Sequence, residues 1–448
     1  MTGRFDVIVI GSGSGGRAVA GRLADAGRRV AMVESGLVGG ECPYWACMPA
    51  KTLLRPGEAV AQARRVPGVS AAIHDWDEVV AFRDDVTAGF DDAGKAALYR
   101  GRGVTVIRGH GRLDGPSRVV VDGTAHPCDG VVIATGSAPV MPPIAGLGTV
   151  DPWTNREAME MRSVPASAAV LGGGPVGVEI GQMLSRYGCR VTLIESADRL
   201  LDGEEPAVGD LLGRALADEG VELLLSATAT AVERSGASTR VSVEGHGVRE
   251  VERLVVATGR SPRVDDLGLD TIGIEPGDSG LEVDEGCRVA EGVWAVGDVT
   301  GKGAFTHVAA YQGRIVCADI LGRGGAPADY RAVPRSVFSD PEVAAVGMTA
   351  RQAREAGIDT VAATVPLDAV ERSRTYGRGL VGRVGVLADA RARTLVGAYA
   401  VGPLAAEWIH IAVLAVHARV SVDLLVDTIA QFPTFSEAFV TAVRGLDM

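Results

Sequence analysis

The apolar positions of the chain form short runs that alternate with amphipathic stretches. DVIVI and VAMV are apolar runs of strand length, and SGGRAVAGRLADAG between them has helical spacing of Ala, Val and Leu. The same pattern returns later in the chain, where SAAVL and VTLI flank VGVEIGQMLSRYG. An amphipathic helix between two buried runs is typical of a strand–helix–strand unit with parallel strands. The sequence therefore predicts two such units.

Each repeat carries glycines at the same places between its first strand and its helix. They are Gly11, Gly13 and Gly16 in the first repeat, and Gly172, Gly174 and Gly177 in the second. The first glycine permits a tight turn, the second lets the backbone approach a pyrophosphate, and the third lets helix and strand pack closely. Two structural turns are the plainer alternative, but the full order of elements, found twice, favours two dinucleotide sites.

The second strand of each repeat ends in an acid. Glu34 and Glu195 each lie eighteen residues beyond the third glycine, where a carboxylate can accept hydrogen bonds from a ribose. A carboxylate at Glu195 would repel a 2′-phosphate, so NADH is expected to be preferred to NADPH. Arg199 lies nearby and could soften that preference.

Further segments fit the same architecture. VVIATGSAP (131–139) and LVVATGRSP (254–262) are each a buried type of strand followed by ATG and a turn, and the Pro/Gly-rich stretch 139–148 reads as a linker. VWAVGDVT is another apolar run, with Asp298 expected at its end. In a doubly wound α/β sheet the carboxyl ends of the strands face the ligand. A turn aspartate is an equally good interpretation of Asp298 from the sequence alone.

Composition narrows the function classes. The chain has 448 residues, 47% of them apolar, which suits two to four domains. Its 44 basic and 56 acidic residues give a net charge of −12 without a basic cluster, which argues against nucleic acid or an anionic membrane as partner. No apolar run approaches the ~18 residues of a spanning helix. The strand-like run at the N-terminus leaves no room for a signal peptide, so we expect a cytoplasmic protein.

Two of the six cysteines lie close together in CPYWACMPAK (42–51). Residues five apart in an ideal helix are separated by ~7.5 Å of rise, beyond the ~4.4–6.8 Å Cα distance of a disulfide, so a bond between Cys42 and Cys47 needs an irregular lead-in. Pro43 suits such a first turn, and a helix is expected after Pro49. Thiolates near a helix start are stabilised, which favours redox chemistry over two inert thiols. A metal site would need ligands that no second cysteine pair supplies, so no metal is expected. Four cysteines read as core residues: Cys128, Cys189, Cys287 and Cys317.

Taken together, the motifs resemble a known family. GSGSGG, GGECPYWACMPAK, the two ATG segments, GGGPVGVE, AVGDV, SVFSDPEVAAVGMT and FPTFSE are similar to the class I flavoprotein disulfide reductases, such as dihydrolipoamide dehydrogenase and mercuric reductase. The resemblance spans almost the whole chain. It implies an α/β fold of the glutathione reductase type, with two Rossmann-like dinucleotide-binding domains and a C-terminal α+β dimerisation domain. The implied boundaries are FAD-binding 1–142, NAD-binding 143–265, a central segment 266–328 and dimerisation 329–448.

The resemblance also implies cofactor contacts. FAD would be held by the first glycine turn together with Glu34, Lys51, Gly111, Thr135, Gly136, Asp298 and His307. The nicotinamide nucleotide would be held by the second glycine turn together with Glu179, Glu195 and Gly259. Lys51 and Glu179 are expected to form a charge pair near the flavin. A homodimer is implied, with each active site completed by the partner subunit.

The implied chemistry passes electrons from NADH through FAD to a Cys42–Cys47 disulfide. Cys47 would face the flavin, and Cys42 would be the interchange thiol that attacks a small-molecule or carrier-bound thiol substrate. The cofactors supply the difficult chemistry and the protein supplies placement.

Two departures from the family pattern concern the substrate. Relatives that act on disulfides carry HPTxSE, whereas this chain has Phe432 in place of the histidine that moves the proton. Tyr44 and Trp45, between the cysteines, are bulky where the family has smaller residues, and core packing is favoured over a channel lining. Glu41 also stands where a small residue is usual. Tyr44 or Glu437 are candidate replacements for the missing base.

Three uses of this chemistry stay open. The first is oxidoreduction of a specialised thiol, and the second is NADH-driven reduction of a metal ion, quinone or small oxidant. The third, from another class, is a non-catalytic flavoprotein binding module, against which the retained cysteine pair counts. His410 and His417 lie seven apart on one predicted helix face, and packing is favoured over catalysis for both.

Overall fold

The computed structural model describes residues 3–69, 75–377 and 379–448. The chain divides into two compact units, each made of three segments. The first unit comprises Met1–Pro49, Arg83–Val140 and Arg260–Tyr330, and the second comprises Ala50–Phe82, Met141–Gly259 and Arg331–Met448. Both units combine helices with sheets, which confirms the predicted α/β class.

The strands are β1 (Phe5–Ile10), β2 (Val30–Glu34), β3 (Thr105–Arg108), β4 (Gly111–Leu113), β5 (Arg118–Val121), β6 (Thr124–Ile133), β7 (Ser137–Pro139), β8 (Ser167–Leu171), β9 (Arg190–Ile194), β10 (Glu222–Leu224), β11 (Ala229–Ser235), β12 (Ser238–Val243), β13 (Gly247–Val251), β14 (Arg253–Val256), β15 (Arg260–Pro262), β16 (Arg288–Ala290), β17 (Val293–Ala295), β18 (Pro334–Val337), β19 (Val343–Gly347), β20 (Thr360–Pro366), β21 (Arg383–Asp389) and β22 (Thr394–Val401). The helices are α1 (Ser14–Asp25), α2 (Glu41–Tyr44), α3 (Cys47–Arg65), α4 (Trp76–Thr87), α5 (Ala93–Gly101), α6 (Asn155–Glu160), α7 (Pro175–Arg186), α8 (Pro206–Asp218), α9 (Thr306–Ile320), α10 (Ala350–Glu355), α11 (Ala405–Trp408), α12 (His410–His417), α13 (Val422–Val426) and α14 (Ser436–Arg444).

The first unit is built on a sheet in the order β16-β17-β6-β1-β2-β3. Strand β1 runs parallel to both β2 and β6. Alternate residues of β1 enter two separate apolar clusters, Val7 and Val9 in one and Ile8 and Ile10 in the other. Burial of both faces explains why these strands read as continuous apolar runs.

The second unit repeats this arrangement with the parallel sheet β10-β9-β8-β14. Val170 of β8 joins one cluster and its neighbour Leu171 joins another. Strands β11, β12 and β13 add an antiparallel meander. The two predicted strand–helix–strand units are therefore confirmed.

The C-terminal part of the second unit is an antiparallel sheet, β18-β19-β22-β21-β20. One apolar cluster joins Val384 and Ala400 of this sheet to Phe439 and Val443 of α14. This is the α+β segment that the resemblance implied.

Three local expectations need correction. The helix at the second cysteine begins at Cys47 itself, two residues before Pro49, because proline is tolerated within a first turn. Strand β17 ends at Ala295, and Asp298 begins a short 3₁₀ turn after it. His410 and His417 do share a face of α12, but both are exposed, since Ala412, Ala415 and Val416 supply its buried face.

Glu342, next to β19, is expected to make the folding stability depend on pH. Burial raises the pKa of its carboxyl to about 7, and the nearby Glu58 and Glu407 carboxylates act in the same direction. Because the folded-state pKa lies above the unfolded value, the protein loses stability as pH rises through the window from about 4.5 to about 7. Glu342→Gln should therefore raise the thermal midpoint more at pH 8 than at pH 5, and the difference should be ~1 °C per kcal/mol of relieved charge burial.

The exposed Glu355 of α10 gives the matched control. Glu355→Gln should leave the difference between the two midpoints as in the parent. A Glu342→Gln protein with the parent's pH dependence would show that the buried carboxyl does not titrate in this window.

Candidate active site

The first glycine turn leaves room where a dinucleotide would need it. A Cβ on Gly11 would lie 2.3 Å from the Ala134 carbonyl oxygen, and one on Gly16 would lie 2.0 Å from the Gly11 carbonyl oxygen. A Cβ on Gly13, the N-cap of α1, would meet nothing within 4 Å. The outer glycines thus permit close backbone packing, while the middle one borders open space at a helix N-terminus. This arrangement suits a pyrophosphate.

Glu34, at the end of β2, stabilises this turn through hydrogen bonds. Its carboxylate accepts hydrogen bonds from the Ser12 amide at 2.9 Å, from the Ser12 hydroxyl and from the Gly36 amide at 2.7 Å. Two carboxylate oxygens offer about four acceptor positions, so capacity is left for a ribose. The predicted position of Glu34 beside the glycines is confirmed.

The second turn repeats these contacts in the second unit. Cβ atoms on Gly172 and Gly177 would lie 2.4 Å from the Ala257 carbonyl oxygen and 1.9 Å from the Gly172 carbonyl oxygen, while one on Gly174 would meet nothing within 4 Å. The Glu195 carboxylate accepts from the Gly173 amide and, at 2.7 Å, from the Ala197 amide. The two glycine turns therefore share the same steric pattern and the same carboxylate support.

Arg199 is occupied by neighbouring carboxylates. Its guanidinium forms ion pairs with Asp198 at 3.0 Å and with Asp202. This arrangement reduces its capacity to attract a 2′-phosphate.

Five of the other residues expected at FAD lie in the first unit. Thr135 donates its hydroxyl to the Arg263 carbonyl at 2.7 Å, and Gly136 has a left-handed φ of 72°. Ser137 donates its hydroxyl to Asp298. Gly111 starts β4, where a Cβ would press to 2.9 Å from Val33. His307 stacks on Phe305 with ring centroids 5.2 Å apart.

Both cysteines of the pair lie at helix starts in the first unit. Cys42 is the second residue of α2 and Cys47 the first of α3, and both are partly buried. The Cys47 Sγ lies 3.4 Å from the Thr306 hydroxyl, and Thr306 is the first residue of α9. A thiolate at Cys47 would accept a hydrogen bond from that hydroxyl. The expectation that both sulfurs lie near helix starts is confirmed.

The remaining cysteines are buried, as expected. Burial raises the pKa of each thiol, to about 11 or about 12, which keeps them protonated and poorly nucleophilic. They are Cys128, Cys189, Cys287 and Cys317.

Tyr44 is a core residue and does not suit the role of a base. Its side chain is fully buried, and its hydroxyl donates to the Val38 carbonyl at 3.2 Å. Burial raises its pKa to about 12. The packing interpretation is therefore confirmed for Tyr44, whose ring also lies 5.7 Å from that of Trp45.

Lys51 and Glu179 form the expected charge pair in the second unit. The Lys51 Nζ lies 2.7 Å from one carboxylate oxygen of Glu179 and 3.0 Å from the other. Glu179 also accepts from the Phe338 amide at 2.9 Å, and the ammonium lies 4.7 Å from the centre of the Phe338 ring. The Glu179 carboxylate is buried on α7, and its ion pair holds the Lys51 ammonium of α3 in place. Gly259 follows β14 with a φ of 137°.

Phe432 and Glu437 flank the start of α14. The Phe432 side chain is 71% exposed. One Glu437 carboxylate oxygen accepts from the Thr434 amide at 3.1 Å, which holds the turn before the helix. A base role for Glu437 stays a prediction.

Among residues 3–69, 75–377 and 379–448, no group of three or more His, Cys, Asp or Glu side chains is arranged to hold a metal ion. In the same part of the chain, no helix combines the length and apolar character needed to cross a membrane.

Sequence reasoning missed several contact residues. Ser12, Ser137, Thr306 and Phe338 each touch an expected functional residue across a long sequence separation. Ser12, Ser137 and Phe338 lie within motifs that the sequence displays, GSGSGG, ATGSAP and SVFSDPEV, but the motifs do not indicate which residues they contact.

Comparison with known proteins agrees with this geometry. Residues 5–313 match the family described as pyridine nucleotide-disulphide oxidoreductase, and residues 333–443 match its dimerisation domain, which supports a homodimer. A mercuric reductase of Lysinibacillus sphaericus is 34% identical over 99% of this chain and 83% of its own. A dihydrolipoyl dehydrogenase of Thermus scotoductus is 34% identical over 99% of this chain and 97% of its own.

Solved structures give the same result. The HOCl-induced flavoprotein disulfide reductase RclA from Escherichia coli superposes with a TM-score of 0.87 at 28% identity, over 98% of this chain and 100% of its own. LpdA from Mycobacterium tuberculosis has a TM-score of 0.86 at 28% identity, over 98% and 99%. These relatives indicate FAD and a nicotinamide nucleotide as cofactors. The chain belongs to the pyridine nucleotide-disulphide oxidoreductase family of flavoprotein disulfide reductases.

Proposed function

We propose that the protein transfers electrons between NADH and a thiol/disulfide substrate through FAD and a Cys42–Cys47 redox disulfide. The observation that carries this proposal is the pair of partly buried cysteines at two helix starts, in the same unit as the first glycine cradle. FAD is assigned to that cradle with Glu34, Lys51, Gly111, Thr135, Gly136, Asp298 and His307. NADH is assigned to the second cradle with Glu179, Glu195 and Gly259.

The cysteines carry the exchange steps. When bound, FAD relays two electrons from the nicotinamide nucleotide to the disulfide. The Cys42 thiolate then attacks a substrate disulfide, forming a mixed disulfide and releasing one substrate thiolate, which takes a proton from solvent. The Cys47 thiolate attacks the Cys42 sulfur, which releases the second substrate thiolate and restores the Cys42–Cys47 disulfide.

A second candidate is reduction of a metal ion or small oxidant. Phe432 favours this candidate, because phenylalanine cannot relay a proton. Delivery of electrons to a metal ion or small oxidant depends less on a proton relay. The relatives of this chain include proteins named mercuric reductase, and RclA has also been solved as a Cu(II) complex. Apart from Cys42 and Cys47, the cysteines of the described residues are buried, so these residues offer no second accessible thiol pair to deliver a metal. Thiol exchange therefore stays the first proposal.

Anaerobic titration with NADH tests the dithiol chemistry. The reduced protein should show a long-wavelength band from charge transfer between the Cys47 thiolate and the flavin, and Cys47→Ser should abolish it. A wild-type protein without that band would exclude the dithiol route. Cys42→Ser separates the two candidates. The variant should lose turnover of disulfides in either case. It should keep turnover of metal ions or quinones only if the second candidate is the activity.

Glu195 provides the prediction for nucleotide preference. Two like charges ~4 Å apart near a protein surface repel by ~4 kcal/mol before screening, so the carboxylate should disfavour a 2′-phosphate. Glu195→Gln keeps a carbonyl oxygen for one of the Gly173 and Ala197 amides, which bind different oxygens of the carboxylate. It should raise kcat/KM for NADPH relative to NADH about tenfold or more. Steady-state kinetics with both nucleotides measure the ratio.

Arg199→Met is the control for this ratio. Because its guanidinium is held by Asp198 and Asp202, the variant should leave the ratio close to the parent's. Equal use of the two nucleotides by the parent protein would contradict the assigned preference.

Thr306 provides a prediction for the flavin-side sulfur. Its hydroxyl, 3.4 Å from the Cys47 Sγ, would stabilise the thiolate as a hydrogen-bond donor. Thr306→Val keeps the shape and removes the donor, so the charge-transfer band of the Cys47 thiolate should appear only at higher pH than in the parent. Thr306→Ser should retain the parent titration. Identical titrations of the Val and Ser variants would remove Thr306 from this role.

A further inference from the structure

Phe338, the residue after β18, contacts both members of the Lys51–Glu179 ion pair. Its backbone amide donates to a carboxylate oxygen of Glu179 at 2.9 Å, and the centre of its ring lies 4.7 Å from the Lys51 Nζ. All three residues belong to the second unit. One residue therefore contacts the anion through its backbone and the cation through its ring.

The Lys51 ammonium thus has two kinds of partner. The two carboxylate oxygens of Glu179 lie 2.7 and 3.0 Å from it, and the Phe338 ring offers the negative face of its π system. The side chains of Lys51 and Glu179 are 34% and 9% exposed, so water screens the pair less than a fully exposed one. At a partly exposed site, an ammonium over an aromatic ring gains about a two- to fivefold preference for that position.

Lysine is rare in this chain. Only three of its 44 basic residues are lysines, at positions 51, 95 and 302. A lysine side chain has a flexible four-carbon stem, so its ammonium keeps one place only when neighbouring groups restrict the stem. At Lys51 these neighbours are the Glu179 carboxylate and the Phe338 ring. Two contacts of different kinds restrict the stem more than the carboxylate alone.

We propose that Phe338 is a positioning residue for flavin reduction, because its ring holds the Lys51 ammonium in place against Glu179. The inference rests on the proposed function, which assigns Lys51 to FAD and Glu179 to the nicotinamide nucleotide. A cation that is already in place needs no reorganisation when negative charge develops beside it, and this lowers the barrier of the step. Phe338 acts on the reaction through Lys51.

Phe338→Leu tests this role, because it removes the ring but keeps the backbone amide that binds Glu179. The Phe338 side chain is 40% exposed, so the change leaves the core intact. In the FAD-loaded protein, the rate of flavin reduction at saturating NADH should fall about two- to fivefold, as measured by anaerobic stopped-flow absorbance. Phe338→Tyr keeps the π face and should restore the parent rate.

Nuclear magnetic resonance of lysine that is isotope-labelled at Cε reports the surroundings of Lys51 directly. The chain gives three lysine signals, and Lys51→Arg identifies the one from Lys51. Because protons above a ring face resonate upfield, this signal should lie upfield of that from the exposed Lys302, and should move toward it in Phe338→Leu. The Lys95 Nζ lies 4.6 Å from the centre of the Tyr44 ring, so the Lys95 signal should stay unchanged.

Phe82→Leu is the matched control, since Phe82 of α4 is 48% exposed and lies in the second unit. It should leave the reduction rate and the Lys51 signal at their parental values. An unmoved Lys51 signal in Phe338→Leu would overturn the proposal, as would a shifted signal with a parental reduction rate. The charge-transfer band of the wild type tests the dithiol chemistry separately, because neither measurement on the Phe338 variants involves the cysteine pair.

Discussion

Replacing Cys42 with serine should abolish turnover of disulfide substrates while the flavin is still reduced by NADH. The loss should be on the order of 10³-fold or more, because a hydroxyl cannot form the mixed disulfide and loss of a covalent nucleophile acts on this scale. Flavin reduction should persist, because the nicotinamide nucleotide is assigned to the second glycine turn and its neighbours, and Cys42 is not among its assigned contacts. Stopped-flow absorbance of the flavin, set beside steady-state thiol release, measures the two steps.

Cys128→Ala is the matched control for this loss. Cys128 is fully buried in β6, and burial raises the pKa of its thiol to about 11, so its removal should leave both steps unchanged. A Cys42→Ser protein with parental disulfide turnover would contradict the interchange role and favour direct electron delivery to the substrate. The same variant with slow flavin reduction would place Cys42 in a different step from the one proposed.

Much of the fold could be predicted because its signals are local and repeated. Val7 and Val9 face one cluster and Ile8 and Ile10 another, so a fully buried strand appears in the sequence as an unbroken apolar run. The glycine spacing reflects a steric requirement of the backbone. A Cβ on Gly16 or Gly177 would clash with the carbonyl oxygen of the first glycine in the same turn. Such steric constraints lie within a few residues and can be read directly.

The site was less predictable because its contacts join distant segments. Thr306 reaches Cys47, and Arg260 and Arg263 reach Glu41, across more than 200 residues of sequence. No periodicity encodes such pairs, since they depend on how β15 and α9 are placed in the first unit. Tyr44 illustrates the converse error, in which a polar group near the cysteines suggested chemistry while its burial makes it part of the core.

Replacing Phe432 with histidine should raise turnover of disulfide substrates if thiol exchange is the activity. General acid/base assistance is commonly worth about 10² to 10⁴ in rate, and phenylalanine supplies none. The side chain is 71% exposed, so an imidazole can be introduced without disturbing the core. Glu437 already holds the turn that follows, through the Thr434 amide at 3.1 Å. The backbone that would present the new base is therefore fixed in advance.

Phe432→Leu is the control, because it shortens the side chain without adding a proton relay. The histidine variant should exceed the leucine variant by one order of magnitude or more, with a new ionisation near the ordinary histidine pKa of ~6.5 in its rate profile. Turnover of a metal ion or quinone should be equal in the two variants, because that chemistry needs no relay at this position. If disulfide turnover is also equal, proton transfer at residue 432 does not limit the reaction.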